Sequence, residues 1–275
     1  MTIKNAPPQL WGKYQPSKPK CVDRLVAFID ILGFKELVFR DSKLAMQAID
    51  LIDGNLRHVL KVLKGTHGKL FSAKLFSDCI CVSCDYSSGN ISPMLYELAF
   101  VQLYLALDGI FLRGALSRGL HFENDRMIFS QGLISAYELE QKAIYPRIIV
   151  HKDLADTILI DNSTNTPLYT PFKAKDFLVK SPDGYFFIDY LNLLWEEGFE
   201  HQEELSTHKK AILSNVRAHI DNAIIVEKYR WLAEYHNVKF KEFISPEDYE
   251  KDIADAIVKE TAISIEAEFP QFSKV

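Results

Sequence analysis

The feature that most constrains this 275-residue chain is an apolar run that ends in an acid. Residues 25–29 read Leu-Val-Ala-Phe-Ile, Asp30 follows directly, and Gly33 allows a turn soon after. The continuous apolar pattern predicts a strand that is buried on both faces. An ionised carboxylate beside such a strand is costly unless something pairs with it, and a metal ion is one such partner.

A second acid, Asp78, stands where two β-rich runs meet. Residues 69–77 and 79–86 predict the two strands of a hairpin, with Asp78 at its tip. Carboxylates at two strand ends can converge on hard divalent cations, and phosphate oxygens can complete the coordination shell. The sequence therefore predicts a metal site formed by Asp30 and Asp78.

Periodicity along the chain predicts an α+β fold. The predicted strands are 25–30, 69–77, 79–86, 111–122, 127–129 and 147–151, and the predicted helices are 41–64, 94–107 and 131–143, with a loop at 87–93. This order is the ferredoxin-like pattern, a mostly antiparallel sheet with helices on one face.

The two ends of the chain differ from this middle part. Residues 1–20 hold four prolines and predict an extended arm that lies across a partner subunit. After residue 151 we expect a loop, a short strand at 184–190 and two helices, at 206–235 and 246–268. We therefore divide the chain into an arm at 1–20, a main domain at 21–190 and a C-terminal helical region at 191–275.

Composition narrows the class of protein. Lys and Arg total 32 against 37 for Asp and Glu, which is not the basic surface of a nucleic-acid binder. No apolar run approaches the roughly 18 residues of a membrane span, and the N-terminus lacks an apolar signal core, so we expect a cytoplasmic protein. The pair Cys81 and Cys84 has redox spacing, but small apolar residues in a buried strand are the favoured interpretation.

Two motifs in this sequence resemble those of the class III nucleotidyl cyclases. The family's first metal-binding strand reads Phe-x-Asp-Ile-x-Gly-Phe, and residues 28–34 match every fixed position. Its second motif reads Lys-x-x-Gly-Asp, and residues 74–78 match it with Ser77 in place of glycine. The resemblance covers residues 22–150. With residues 113–119 and 145–150, the chain is most similar to the pyrimidine cyclases of bacterial Pycsar antiphage systems.

This resemblance implies an activity and a cofactor. The chain would convert UTP or CTP to the 3′,5′-cyclic monophosphate and pyrophosphate, producing a second messenger in antiviral defence. Two divalent ions, Mn²⁺ or Mg²⁺, would be held by Asp30 and Asp78. The backbone carbonyl of Ile31 is a further candidate ligand because it directly follows Asp30.

The same segments supply candidate substrate contacts. The turn after Ile31 offers backbone N–H groups to the phosphates, where Gly33 permits a close approach and Lys35 adds a positive charge. Phe28 shares the strand face of Asp30 and can pack against the sugar or base. Lys74 matches the base-contacting lysine of the family, but an ammonium only donates and does not identify the base. The candidate substrate-binding residues are Phe28, Ile31, Gly33, Phe34, Lys35 and Lys74.

The sequence departs from the purine cyclases of the family. Ile134 and Glu138 stand where those enzymes carry an Asn and a transition-state Arg, and Met127 replaces their purine-selecting polar residue. Three arginines are candidates for the missing charge: Arg113, Arg118 and Arg147. We favour Arg118 as catalytic because it lies near a predicted strand end, before a glycine.

Assembly and two rival functions complete the predictions. In the family, the metal-binding acids and the base-contacting lysine of one site come from different subunits. Lys74 and Asp78 are about 13 Å apart in an extended strand, so we expect a homodimer with shared active sites. The alternatives are an inactive cyclase-like domain that binds nucleotide or a partner, and a polymerase-like transferase, which the lack of a basic face disfavours. No downstream effector is visible in the chain.

Overall fold

The computed structural model describes residues 20–67, 71–161, 173–195, 201–243 and 262–268. The predicted arm, the loop after residue 161 and most of the last predicted helix lie outside these ranges. The strands are β1 (Val22–Ile31), β2 (Phe71–Phe76), β3 (Cys79–Asp85), β4 (Leu112–Glu123), β5 (Ile128–Ser130), β6 (Ile148–Val150), β7 (Leu178–Lys180) and β8 (Phe186–Ile188). The helices are α1 (Phe34–Arg40), α2 (Ser42–His67), α3 (Ser88–Leu107), α4 (Gln131–Glu140), α5 (Lys152–Ile160), α6 (His201–Ala218), α7 (Ala223–Phe243) and α8 (Ile265–Glu268).

The strands form one mixed sheet in the order β2-β3-β1-β4-β6-β8-β7, and β5 pairs with β4. The first four strands are antiparallel, with β1 at the centre between β3 and β4. With α2 and α3 as their connections, they have the spatial order 4-1-3-2 of a ferredoxin-like fold. The predicted fold class is therefore confirmed, and β6 extends the sheet parallel to β4.

The two connecting helices of this core lie on one face of the sheet, as predicted. Ile29 of β1 faces Leu56 of α2 and Leu98 of α3 across a small apolar cavity. Helix α2 begins where predicted because the Asp41 carboxylate accepts hydrogen bonds from the N–H groups of Lys43 and Leu44, both at 3.0 Å. The apolar residues of β1 between Leu25 and Ile29 are buried on both faces of the sheet.

Helix α4 packs against the opposite face of the sheet. A Cβ at Gly132 would lie 2.9 Å from Val26 Cγ2, and a Cβ at Gly119 would lie 2.8 Å from the Gly132 nitrogen. Only glycine allows the helix to approach β1 and β4 this closely. The Ser117 hydroxyl donates to the Gly132 carbonyl at 2.6 Å, and Ser130 caps the helix by accepting from the Leu133 N–H at 2.8 Å. Helix α4 therefore covers the face that carries Asp30.

Two predicted segments differ from the structure. Residues 87–93 were expected to form a loop, but α3 begins at Ser88 and contains Pro93. Ile91 and Pro93 are buried there, so packing outweighs the turn propensity of the segment. The predicted single helix at 206–235 is instead the pair α6 and α7. Asn222 separates them, because its side-chain oxygen accepts from the Ile225 N–H at 3.2 Å and starts a new helix.

The α6–α7 hairpin packs close to the end of β1. The ring of Phe111, which precedes β4, contacts Tyr229 of α7 and His208 of α6 with centroids 5.6 and 6.0 Å apart. The Asn215 amide of α6 donates to the Gly109 carbonyl at 3.1 Å. The domain division at residue 190 stays a prediction, and the hairpin shares a buried core with the sheet. Among the described helices, none combines the length and apolarity that crossing a bilayer requires.

Candidate metal and nucleotide site

Asp30 and Asp78 meet at one end of the sheet. Asp30 lies at the end of β1, paired with Cys79 of β3 and Arg113 of β4. Asp78 lies in the turn between β2 and β3, and its carbonyl accepts from the Ile31 N–H at 3.1 Å. One carboxylate oxygen from each acid and the Cys79 sulfur all lie within 4.8 Å of one another. The structure thus brings together the two acids that the sequence selects.

The local backbone explains this convergence. Ser77 has a φ of 57°, in the left-handed region that favours glycine, at the position where the resembling motif carries Gly. A serine in this conformation costs about 1–2 kcal/mol, yet the turn keeps its geometry. Gly33 has a φ of 76° and turns the chain after β1, while the Leu32 N–H donates to the Phe111 carbonyl at 2.9 Å. Both turns are therefore fixed against neighbouring strands.

Burial and charge both act on the protonation of this site. Burial is the main factor that raises the pKa of Asp30, the charge of Asp78 raises it as well, and Arg113 opposes both. Burial together with the two acids raises the pKa of the Cys79 thiol to about 12. At neutral pH the Cys79 thiol is therefore protonated, and the two carboxylates repel each other when ionised.

The donor set fits a hard divalent cation. Two carboxylates are the ligands that Mg²⁺ and Mn²⁺ prefer, and a cation between them would relieve their repulsion. The protonated Cys79 is a poor ligand for such an ion, so the carboxylates of Asp30 and Asp78 are the natural anchors. The Ile31 residue is buried, and its carbonyl as a further ligand stays a prediction.

Arg113 and Glu140 complete the charged groups of this site, although the sequence favoured Arg118 over Arg113. Its Nη2 lies 3.1 Å from Asp30 Oδ2 and 2.6 Å from Glu140 Oε1. The Glu140 side chain, at the end of α4, is 1% exposed, and burial raises its pKa although Arg113 opposes the shift. Arg113 was one of three candidate arginines, but Glu140 was missed, because only the packing of α4 brings it to the sheet.

Phe28 lies on the face of Asp30, as predicted, and forms an aromatic cluster there. Its ring centroid is 5.4 Å from that of Tyr137 on α4, edge to face, and 6.5 Å from that of Phe76. Phe28 is 8% exposed, whereas Phe76 and Tyr137 are about half exposed. Packing explains Phe28 by itself, and its contact with a sugar or base stays a prediction.

The remaining predicted residues lie around the site rather than in it. Lys74 of β2 donates from Nζ to the Asn124 carbonyl in the turn between β4 and β5. Phe34 is buried, and Lys35 is exposed in the first turn of α1. Lys74 therefore does not join the Asp30–Asp78 cluster within one chain.

Arg118 and Arg147 also lie away from the two acids. Arg118 is five residues beyond Arg113 on β4, or about 17 Å along the strand. Its guanidinium binds Asp23 at 2.6 and 2.8 Å and lies 3.5 Å from the ring centroid of Tyr86. Arg147 is fully buried among the rings of Tyr145, Phe187 and Trp231 and is paired with Asp183. In a single chain, Arg113 is the arginine that meets Asp30.

Comparison with known proteins gives distant structural neighbours. No protein-family model and no curated protein sequence matches this chain. Two solved structures of a bacterial light-regulated adenylyl cyclase align with 71% of this chain and 59% of their own, at 10% identity and TM-scores of 0.40 and 0.41. A class III adenylyl cyclase-like ATP-binding protein from Pseudomonas aeruginosa aligns with 50% of this chain and 34% of its own, at 10% identity and a TM-score of 0.35. The chain thus spans less than two thirds of each neighbour, and the fold assignment rests on the strand order described above.

Proposed function

We propose that this protein is a metal-dependent nucleotidyl cyclase that converts UTP, or else CTP, to the 3′,5′-cyclic monophosphate and pyrophosphate. The observation that carries the proposal is the convergence of Asp30 and Asp78 at one end of a ferredoxin-like sheet. A site that only bound a partner would have little use for two carboxylates that repel each other.

The reaction needs a nucleophile, an electrophile and a leaving group to be aligned. The 3′ oxygen of the ribose attacks the α-phosphorus, its proton passes to solvent, and the bond to the bridging oxygen of the β-phosphate breaks to release pyrophosphate. Two bound Mn²⁺ or Mg²⁺ ions would make the 3′ hydroxyl more acidic and neutralise phosphate charge. Asp30, Asp78 and the Ile31 carbonyl would hold these ions.

Substrate contacts would come from the segments around the acids. The turn formed by Gly33, Phe34 and Lys35 would offer N–H groups and a positive charge to the phosphates. Phe28 would pack against the sugar or base on the Asp30 face. The Lys74 ammonium would donate a hydrogen bond to the base.

A homodimer with shared sites accounts for the residues that lie apart. Within one chain, Lys74 is turned to Asn124, and Arg118, proposed to stabilise the transition state, is bound to Asp23. A second subunit could bring equivalent residues to the acids. A group of exposed apolar side chains on β5, α4 and their surroundings supports such an interface: Phe76, Met127, Phe129, Ile134 and Tyr137.

The preference for a pyrimidine is supported by the residues of this same surface. Met127 and Ile134 are exposed and apolar at positions where purine cyclases carry polar residues, and Glu138 is exposed where they carry the transition-state arginine. The apolar side chains of Met127 and Ile134 cannot form the hydrogen bonds by which a polar residue would select a purine base. The role in cytoplasmic antiviral signalling is proposed from the motif resemblance.

One observation favours a second candidate, an inactive cyclase-like domain that binds nucleotide. Arg113 is paired with Asp30, and an arginine on a metal-binding carboxylate competes with the metal ion. The two candidates differ in whether pyrophosphate is produced.

Pyrophosphate release tests the proposed function. The purified protein is incubated with UTP or CTP and increasing Mn²⁺ or Mg²⁺, alongside the variants Asp30→Asn and Asp78→Asn. We expect each variant to lose about a thousandfold or more of the activity, since each removes a charged metal ligand. Asp53→Asn, which removes an exposed acid of α2 paired with Arg57, is the matched control and should retain activity. Near-normal turnover in either site variant would exclude the two-metal assignment.

A further inference from the structure

A cleft of about 180 Å³ opens beside the turn that follows β1. One wall is formed by Leu32, Gly33 and Glu36, directly after the metal-binding strand. The other wall belongs to the α6–α7 hairpin and includes Asn222, Lys228 and Tyr229. The C-terminal hairpin therefore closes a cleft whose opposite wall is the predicted phosphate-binding turn.

Lys228 is the cationic side chain on the hairpin side of this cleft. It is half-buried, and in the described part of the chain it forms no direct ion pair. Burial lowers its pKa and the Arg113 guanidinium lowers it further, while Asp30, Glu36 and Glu140 act in the opposite direction. Leu32 and Gly33, which line the same cleft as Lys228, follow Asp30 by two and three residues, so the cleft lies beside the end of β1 that carries the candidate metal site.

Arg113 and Lys228, the two cations of this region, differ in whether they form ion pairs with acidic side chains. Arg113 is held by Asp30 and Glu140, so its charge is already neutralised. Lys228 forms no direct ion pair of this kind within the described residues. Its charge is carried by a flexible side chain that lines the cleft. An anion in the cleft would give Lys228 a direct partner and would offset the cost of burying its charge.

We propose that Lys228 of the C-terminal hairpin binds the β- and γ-phosphates of the nucleoside triphosphate and stabilises the departing pyrophosphate. This inference rests on the proposed cyclase function and extends it to a part of the chain that carries no family motif. When the bond between the α-phosphorus and the bridging oxygen breaks, the new negative charge develops on that oxygen of the pyrophosphate. Lys228 would neutralise this charge, and the position of the α6–α7 hairpin would then control activity.

Inorganic tripolyphosphate is a probe that isolates the phosphate contact from the base and from catalysis. Its affinity is measured by calorimetry in the presence of Mg²⁺ for the wild type, Lys228→Met, Lys228→Arg and Lys241→Met. Lys241 is an exposed lysine near the end of the same helix and provides the matched control. We expect Lys228→Met to weaken binding at least tenfold, Lys228→Arg to restore most of it, and Lys241→Met to stay within twofold of the wild type.

Two further measurements separate this inference from the proposed function. Thermal unfolding should show Lys228→Met folded and at least as stable as the wild type, since methionine removes a half-buried charge. If the wild type cyclises UTP and Lys228→Met keeps normal tripolyphosphate affinity and turnover, the inference is overturned and the cyclase assignment stands. If the wild type makes no cyclic nucleotide but its tripolyphosphate binding depends on Lys228, the phosphate site stands and the cyclase assignment fails. A wild type that does not bind tripolyphosphate overturns the inference.

Discussion

Replacing Arg113 by methionine is predicted to destabilise the protein substantially. The substitution leaves the Glu140 carboxylate, whose side chain is 1% exposed, without the cation 2.6 Å away. Breaking a fully buried pair costs about 3–5 kcal/mol. Because Arg113 and Asp30 are 23% and 21% exposed, we place the loss at the lower end, about 3 kcal/mol in the free energy of unfolding.

The same strand provides the control for Arg113→Met. Arg118 pairs with Asp23, but the two side chains are 46% and 38% exposed, so Arg118→Met should cost less than about 1 kcal/mol. Adding Glu140→Gln to Arg113→Met should recover most of the loss, because the unpaired buried charge is then absent.

Urea denaturation followed by circular dichroism, at pH 5 and pH 8, measures these effects. Burial raises the pKa of Glu140, so without Arg113 the folded state should hold a proton there more tightly than the unfolded state. Stability then falls as pH rises through the folded-state pKa, and Arg113→Met should lose more at pH 8 than at pH 5. Equal losses for Arg113→Met and Arg118→Met at both pH values would refute this account of the site.

Three other perturbations follow from the contacts described. Burial raises the pKa of Glu97 to about 8, so wild-type stability should fall between about pH 5 and pH 8, and Glu97→Gln should remove that slope in unfolding measured at each pH. A Cβ at Gly114 would lie 2.6 Å from the Phe28 carbonyl oxygen, so Gly114→Ala should cost at least about 1–3 kcal/mol in urea unfolding. Mixing Asp30→Ala with Lys74→Ala subunits should restore activity toward half per heterodimer; no recovery despite demonstrated subunit exchange would contradict shared sites.

The local pattern of the sequence was sufficient to predict the core of the fold. The apolar run before Asp30 encodes a buried central strand, and the start of α2 follows from the Asp41 cap. The turn at Asp78 follows from two short β-rich runs around it. These features depend on neighbours in sequence, and they also place the two acids at strand ends that a ferredoxin-like order brings together.

The rest of the site depends on contacts between distant residues. The sequence does not fix the register of β1 against β4, which sets Arg113, not Arg118, opposite Asp30. Glu140 reaches the site only because Gly119 and Gly132 let α4 approach the sheet closely. Lys228 lies beside the site because the chain turns at Asn222. The apolar pattern runs on through both helices, so the sequence did not predict this turn. Such residues become recognisable only once packing is known.

The most direct test of the central claim is a competition between substrates. The purified protein is incubated with an equimolar mixture of ATP, GTP, CTP and UTP plus Mn²⁺, and the products are identified by mass spectrometry with Asp30→Asn as the blank. We expect a 3′,5′-cyclic pyrimidine monophosphate, cyclic UMP ahead of cyclic CMP, together with pyrophosphate, and neither product in the blank. Cyclic AMP or cyclic GMP alone would contradict the pyrimidine assignment, and the absence of any cyclic product would contradict the cyclase itself.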